Sequence, residues 1–121
     1  MDRLQPLRER FPDFSVNLNL AIKATKASQP YLYQLFILSF QERDFLKLGK
    51  QINRIIWGRK RDEEKIILLQ EAIIKFNCHL QRLRNLNHED ANLKPLYRLY
   101  NDFVELIPFM PVQLTIEFQL Y

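Results

Sequence analysis

Glycine is scarce in this sequence, which has only two glycines in 121 residues. A protein built from many short strands needs more turn residues than this, so the count favours a mainly helical fold. Neither a G-x-G-x-x-G pattern nor a Walker A loop can be built from the two glycines present. The glycine-rich loops that cradle phosphates are therefore excluded.

Cysteine and long apolar runs are also lacking. The single cysteine, Cys78, excludes an internal disulfide and a cysteine-based zinc site, and it indicates a reducing, cytoplasmic compartment. We expect its thiol to be buried and inert. Residues 1–11, MDRLQPLRERF, have no apolar core of a secretory signal. The longest apolar run, residues 31–40, is shorter than the 20 or so residues that span a bilayer, and we expect no membrane partner.

A basic segment dominates the middle of the chain. Residues 42–61 contain seven basic and two acidic residues, a net charge of +5, whereas the whole chain is +4 and the remainder therefore −1. On a helix at 100° per residue, Phe45, Leu48 and Ile52 fall on one side of this segment. The opposite side carries a row that we call the basic stripe: Arg43, Lys47, Lys50 and Arg54. Trp57 projects beside the stripe, and three further cations follow it: Arg59, Lys60 and Arg61.

The apolar spacing predicts a helical bundle of about four helices in a single domain, residues 1–121. Residues 28–30 begin a buried helix through residue 40. The capping box of Ser39 and Glu42 either begins a second helix or lies inside one helix over residues 30–57. Gly58 suits the end of that helix.

Two more helices are predicted in the second half of the chain. Asp62 caps a helix of about 23 residues whose acidic first turn suits the helix dipole. Residues 85–92 form a loop, and Asn92 caps a last helix that Pro108 stops. A short helical turn in residues 1–12 completes the helical prediction.

Two segments alternate apolar and polar residues as half-buried strands do, namely residues 14–22 and 112–120. For the first, a strand is preferred to a helix that continues through Ala27. Because a lone strand leaves its backbone groups unpaired, we expect the two to pair in a small sheet, or one of them to pair with a partner protein.

No catalytic or metal-binding motif is present. His79 and His88 are nine residues apart, which matches no metal-ligand spacing. Glu63 and Glu64 are explained by their position at a helix N-terminus. We therefore expect no enzyme, no metal and no cofactor.

The basic stripe indicates an anionic partner. A solvated helix face normally mixes charge signs, whereas Arg43–Lys47 and Lys50–Arg54 are like-charge pairs four residues apart. Trp57 could stack bases or lie half-buried at the core edge. Three amides could add hydrogen bonds to phosphate or sugar: Gln51, Asn53 and Asn77. Since no base-reading motif appears, the expected contact is with nucleic-acid backbone, independent of sequence.

Three other interpretations of the stripe stay open. It could be an ordinary solvated face, or it could dock an acidic protein, which would make the chain a helical adaptor or regulator. It could also attach to an anionic membrane surface, although the apolar side of the same helix is needed for the core.

Residues 28–107, through their size, helix content and basic face at residues 43–61, resemble the small subunit of class 1 CRISPR effector (Cascade-like) complexes. The resemblance implies a non-catalytic subunit of an antiviral ribonucleoprotein, in one or more copies, that holds RNA or DNA backbone, including a displaced DNA strand. Only the basic positions would carry that role. The net charge of −3 over residues 86–121 suits head-to-tail docking on copies of the chain or on a larger neighbour.

Overall fold

The computed structural model describes residues 3–28, 37–87 and 93–108, and over these residues the chain is a bundle of helices without strands. These described ranges hold five helices: α1 (Gln5–Arg10), α2 (Phe14–Ser28), α3 (Ile37–Trp57), α4 (Asp62–Asn87) and α5 (Lys94–Glu105). The mainly helical bundle predicted from the sequence is confirmed. The short helical turn expected near the N-terminus is α1.

The four longer helices pack in a ring, because α2 contacts α3 and α5, and α4 contacts the same two helices. The direction of α2 against α3 follows from two contacts. The Phe14 N–H donates to Asn53 Oδ1 (3.2 Å), near the end of α3, and Lys26 pairs with Glu42 near its beginning. The two helices are therefore antiparallel.

Aromatic side chains join the four helices at the centre of the bundle. Phe14 of α2 lies 4.8 Å from Phe103 of α5 and 6.4 Å from Phe76 of α4, between ring centroids. Phe76 in turn meets Phe45 of α3 at 6.0 Å, with the rings edge to face. All four rings are fully buried. Each contributes about 1.5–3 kcal/mol of hydrophobic stabilisation, so this cluster fixes how the helices sit.

The strand predicted for residues 14–22 is wrong, since they form the first half of α2. Three residues of this stretch are fully buried: Phe14, Leu18 and Ile22. Their spacing of four satisfies a period of two and a helical period alike. Val16 and Leu20, which a strand would bury with them, are 52% and 58% exposed. The sheet with residues 112–120 is therefore also wrong, and that second segment lies outside the described residues.

The start of α2 explains why the helix forms. Asp13 Oδ1 accepts hydrogen bonds from the Ser15 N–H (3.1 Å) and the Ser15 hydroxyl (2.6 Å), as a helix-capping side chain does. Asn53 accepts the Phe14 N–H from across the bundle. Two of the N–H groups that a helix start leaves without partners are thus satisfied by side chains.

Helix α3 is continuous across the predicted capping box, so no helix begins at Ser39. The predicted start at residues 28–30 cannot be compared, because residues 29–36 lie outside the described part. Gly58 follows the last residue of α3. A Cβ atom there would lie 2.8 Å from the Arg54 carbonyl oxygen, which is too close for any other residue type without a shift of the backbone.

Helix α4 begins at Asp62 and has the predicted acidic first turn. The Lys65 N–H donates to the Arg61 carbonyl oxygen (3.0 Å), so Arg61 holds the N-cap position and the prediction of Asp62 as the cap is wrong. The helix continues to Asn87, three residues into the predicted loop, and residues 88–92 lie outside the described part.

The N-cap of α5 is Leu93, so the prediction of Asn92 as the cap is wrong. Proline in the first turn of α5 replaces the side-chain cap, because its fixed φ suits a helix start and it has no N–H to satisfy.

Cys78 is exposed, which contradicts the buried thiol expected from its apolar neighbours in sequence. Phe76 and Leu80 are both fully buried on α4. Residues two apart on a helix point about 200° from each other, so burying these two places Cys78 on the outer face.

Candidate nucleic-acid interface

The basic stripe occupies the outer face of α3. All four of its side chains are exposed: Arg43, Lys47, Lys50 and Arg54. The opposite face of the helix is buried, with Phe45 and Ile52 fully inaccessible. Between its first and last residue the stripe rises about 16 Å along the helix axis at about 1.5 Å per residue. The helical geometry predicted for this segment therefore holds, and it leaves a row of cations on the surface.

The charge of the stripe is not compensated within the described residues. There, no carboxylate lies within ion-pairing distance of any of its four cations. The two acids of residues 42–61 are directed to neighbouring helices instead. Glu42 pairs with Lys26 of α2 at 2.6 Å, and Asp44 approaches Arg82 of α4 at 4.0 Å. The four cations therefore lie next to one another on α3 without a paired carboxylate, and the surface of this helix is positive, as the sequence pattern indicated.

The link between α3 and α4 carries the remaining predicted cations. Arg59, Lys60 and Arg61 are exposed. Arg61 approaches Glu64 at 3.6 Å, but the two side chains are 81% and 49% exposed. An ion pair this open contributes about 0–1 kcal/mol and leaves Arg61 available to another anion. The link therefore extends the positive surface past the end of the stripe.

Trp57 combines both interpretations of its role. Its side chain is 52% exposed, and its indole N–H donates a hydrogen bond to the Pro12 carbonyl oxygen across 3.0 Å. That bond fixes the ring against the segment between α1 and α2. Half of the indole surface remains accessible beside the basic stripe, which is the arrangement that stacking on a base requires.

Of the three amides proposed for polar contacts, only Gln51 is exposed on the same face. Asn53 caps α2 through Phe14, and Asn77 is 4% exposed in the core. The expectation that Asn53 and Asn77 contact nucleic acid is therefore wrong. Neither role could be read from α3 or α4 alone, because each depends on a neighbouring helix.

Two shallow depressions lie on this surface. The first, which we call the α3–α4 depression, has a volume of about 650 Å³ and is lined by Lys47, Gln51, Arg54, Ile55, Lys60 and Leu68. The second has about 400 Å³ and is lined by Glu42, Arg43, Leu46, Lys47 and Lys50. Lys47 borders both, and each of the four stripe residues lines at least one of them. The contribution of Leu68 from α4 could not be predicted from the sequence, which gives no sign of which α4 residue lies beside α3.

The remaining titratable candidates lie elsewhere. The His79 ring packs edge-on against Phe45, with ring centroids 5.5 Å apart. Burial lowers the pKa of this imidazole; Asp44 opposes that shift, while Arg82 and Lys75 add to it. In the described parts of the chain, no three His, Cys, Asp or Glu side chains are grouped so as to hold a metal ion. His88 lies outside those parts.

None of the described helices is long and apolar enough to cross a membrane. Comparison with protein-family models, with curated proteins and with solved structures gave no match to this chain.

Proposed function

We propose that this protein is a non-catalytic subunit that binds the sugar-phosphate backbone of nucleic acid without reading its sequence. The observation that carries the proposal is the uncompensated basic stripe on α3, whose own acids pair with α2 and α4. Like charges four residues apart destabilise a helix by a few tenths of a kcal/mol. A phosphate backbone would relieve that repulsion and release its own counterions.

The length of this surface suits contact with a few successive nucleotides of one nucleic-acid strand. The stripe rises about 16 Å along α3, and the cations of the 58–61 link continue it around the helix end. Trp57 offers a fixed, half-exposed ring beside this path. These contacts are charge and stacking, which tolerate any base.

We further propose that the protein works inside a larger ribonucleoprotein. A row of four to seven cations gives modest affinity by itself, and neighbouring subunits would supply the rest. One such cytoplasmic assembly would be a class 1 CRISPR effector complex, whose small subunit this chain resembles. Co-purification tests this part: the tagged protein should bring down nucleic acid together with other proteins from its native cell, and recovery of protein partners alone would favour an adaptor.

Salt titration tests the binding itself. The logarithm of the association constant for a single-stranded oligonucleotide should fall linearly with the logarithm of salt concentration, by about 0.7–0.9 per phosphate neutralised. Changing Lys47, Lys50 and Arg54 to Gln should weaken binding and lower that slope by the same amount, about 0.7–0.9, for each phosphate that is no longer neutralised.

A matched variant controls for bulk charge. Arg10, Lys94 and Arg98 are exposed cations on α1 and α5, and α5 packs against α2 and α4; changing them to Gln removes the same net charge. Binding should be nearly unchanged in this control. Equal loss in the two triple variants would contradict a localised site, and no binding at any salt concentration would leave the acidic-protein adaptor as the better interpretation.

A further inference from the structure

The α3–α4 depression differs chemically from the open stripe beside it. Its rim carries three cations: Lys47, Arg54 and Lys60. The apolar side chains of Ile55 and Leu68 line it as well, one from each helix, and no carboxylate is among its described lining residues. Its volume of about 650 Å³ falls within the range of about 300–1,000 Å³ typical of small-molecule sites.

Cations and apolar groups recognise different parts of one ligand. Ammonium and guanidinium groups hold phosphate oxygens through charge-assisted hydrogen bonds. A nucleobase offers a flat, weakly hydrated face that packs on apolar or aromatic surface. An anion without an apolar part would leave Ile55 and Leu68 uncovered, and an apolar ligand without charge would leave the cations unused. A nucleotide satisfies both.

We infer that the α3–α4 depression seats one base of a single-stranded nucleic acid, with the flanking phosphates on Lys47, Arg54 and Lys60. The inference rests on the proposed function and adds a base contact to it. In a duplex the base faces are stacked and cannot enter. Gln51 is the one neutral hydrogen-bonding side chain among the described lining residues, and a single amide discriminates little between bases. The site therefore selects unstacked strands and not a sequence.

Comparison with an abasic strand separates the contribution of the base to affinity from that of the phosphate charges. Fluorescence anisotropy at fixed ionic strength would compare oligothymidine with an abasic DNA strand of the same length and phosphate number. Oligouridine forms a third arm that compares RNA with DNA. The two base-bearing strands should bind about tenfold more tightly than the abasic strand, because a buried base face removes apolar surface from water.

Leu68→Gln is the diagnostic variant. It should reduce the advantage of base-bearing strands to about twofold or less while the abasic strand keeps its affinity, since no charge is changed. Ile67→Gln is the matched control, because Ile67 is the preceding residue of α4, is 58% exposed and does not line the depression. That control should keep the full tenfold difference. Thermal denaturation would verify that both variants are folded.

A second measurement does not depend on the fold of a variant. A strand carrying 5-iodouracil, crosslinked to the unaltered protein and mapped to single residues after digestion, should label residues that line the depression, such as Gln51, Ile55 or Leu68. Labelling confined to Trp57 or to residues elsewhere overturns the inference. Equal affinity for the abasic and base-bearing strands overturns it too, and leaves the backbone-binding proposal standing. Failure to bind any of the three strands refutes both proposals. Loss of the base advantage in Trp57→Ala but not in Leu68→Gln places the base on the indole and also overturns the inference.

Discussion

The buried ammonium group of Lys65 donates a hydrogen bond to the main-chain carbonyl oxygen of Ile56 across 3.1 Å. Lys65 is 5% exposed, in the first turn of α4, and Ile56 is in the last turn of α3. The last carbonyl groups of a helix have no partner within it, and a cation there suits the helix dipole. This contact ties the last turn of α3 to the first turn of α4, the two helix ends that the cationic link of residues 58–61 connects.

Replacing Lys65 with Met should therefore destabilise the protein. Met preserves most of the apolar stem but leaves the Ile56 carbonyl oxygen without its charged donor, at a cost of about 1–3 kcal/mol. Urea denaturation would measure the change in unfolding free energy. Lys75→Met is the control, because Lys75 is exposed on the same helix, and its effect should stay within about 0.5 kcal/mol. An equally small effect at Lys65 would mean that the hydrogen bond contributes nothing.

Gly49 sets the distance between α2 and α3. A Cβ atom there would lie 3.0 Å from Leu18 Cδ2 and 3.3 Å from the Ser15 Cα atom. Gly49→Leu should push the helices apart and destabilise the fold by about 1–3 kcal/mol, despite the better helix propensity of Leu. Calorimetry would show the lower Tm. Gln51→Leu, at an exposed position two residues on, should not lower it.

The cap of α2 offers a test of its helical state. Asp13→Ala removes the acceptor for the Ser15 N–H and hydroxyl, and should destabilise the protein by about 0.5–2 kcal/mol. Asp13→Asn should recover most of the loss, since Asn is an equally good cap. Chemical denaturation of both variants checks this. If Ala and Asn behave alike, Asp13 does not cap a helix in solution.

The lowered pKa of His79 predicts that the stability of the protein depends on pH. Its pKa in the folded state is lowered from 6.5, first by burial. Below about pH 6.5 the unfolded chain then binds more protons at this residue than the folded protein does. The contribution of His79 to the unfolding free energy is therefore fully present above about pH 6.5 and decreases as the pH falls below that value. The unfolding free energy of the native protein, measured between pH 5 and 8, should decrease towards acid more steeply than that of His79→Gln. Parallel curves would contradict the assignment.

Removing the basic stripe should cost no stability. Its side chains are exposed and make no ion pair in the described structure, so a variant with all four changed to Gln should match the native protein within about 0.5 kcal/mol per site, or exceed it as repulsion is relieved. Lys26→Gln, which breaks the pair with Glu42, should instead cost up to about 1 kcal/mol. Thermal denaturation at low salt would resolve the two cases. Marked destabilisation by the stripe variant would show that its charges have a structural role.

The sequence by itself determined the elements whose signals are local. The two faces of α3 follow from the helical period, because Phe45 and Ile52 must be buried together and the cations then face outward. The start of α4 follows from its acidic first turn, which acts within a few residues. The basic stripe of the candidate site could accordingly be predicted from spacing alone.

Tertiary structure decided what local patterns leave ambiguous. Buried residues four apart at Phe14, Leu18 and Ile22 suit a strand or a helix, and packing against α3 and α5 selects the helix. The partners of Glu42 and Asp44 lie on other helices, as does Leu68, which completes the depression beside the stripe. A repeat along one chain segment shows which side chains share a face. Only the packing of helices distant in sequence determines what that face meets.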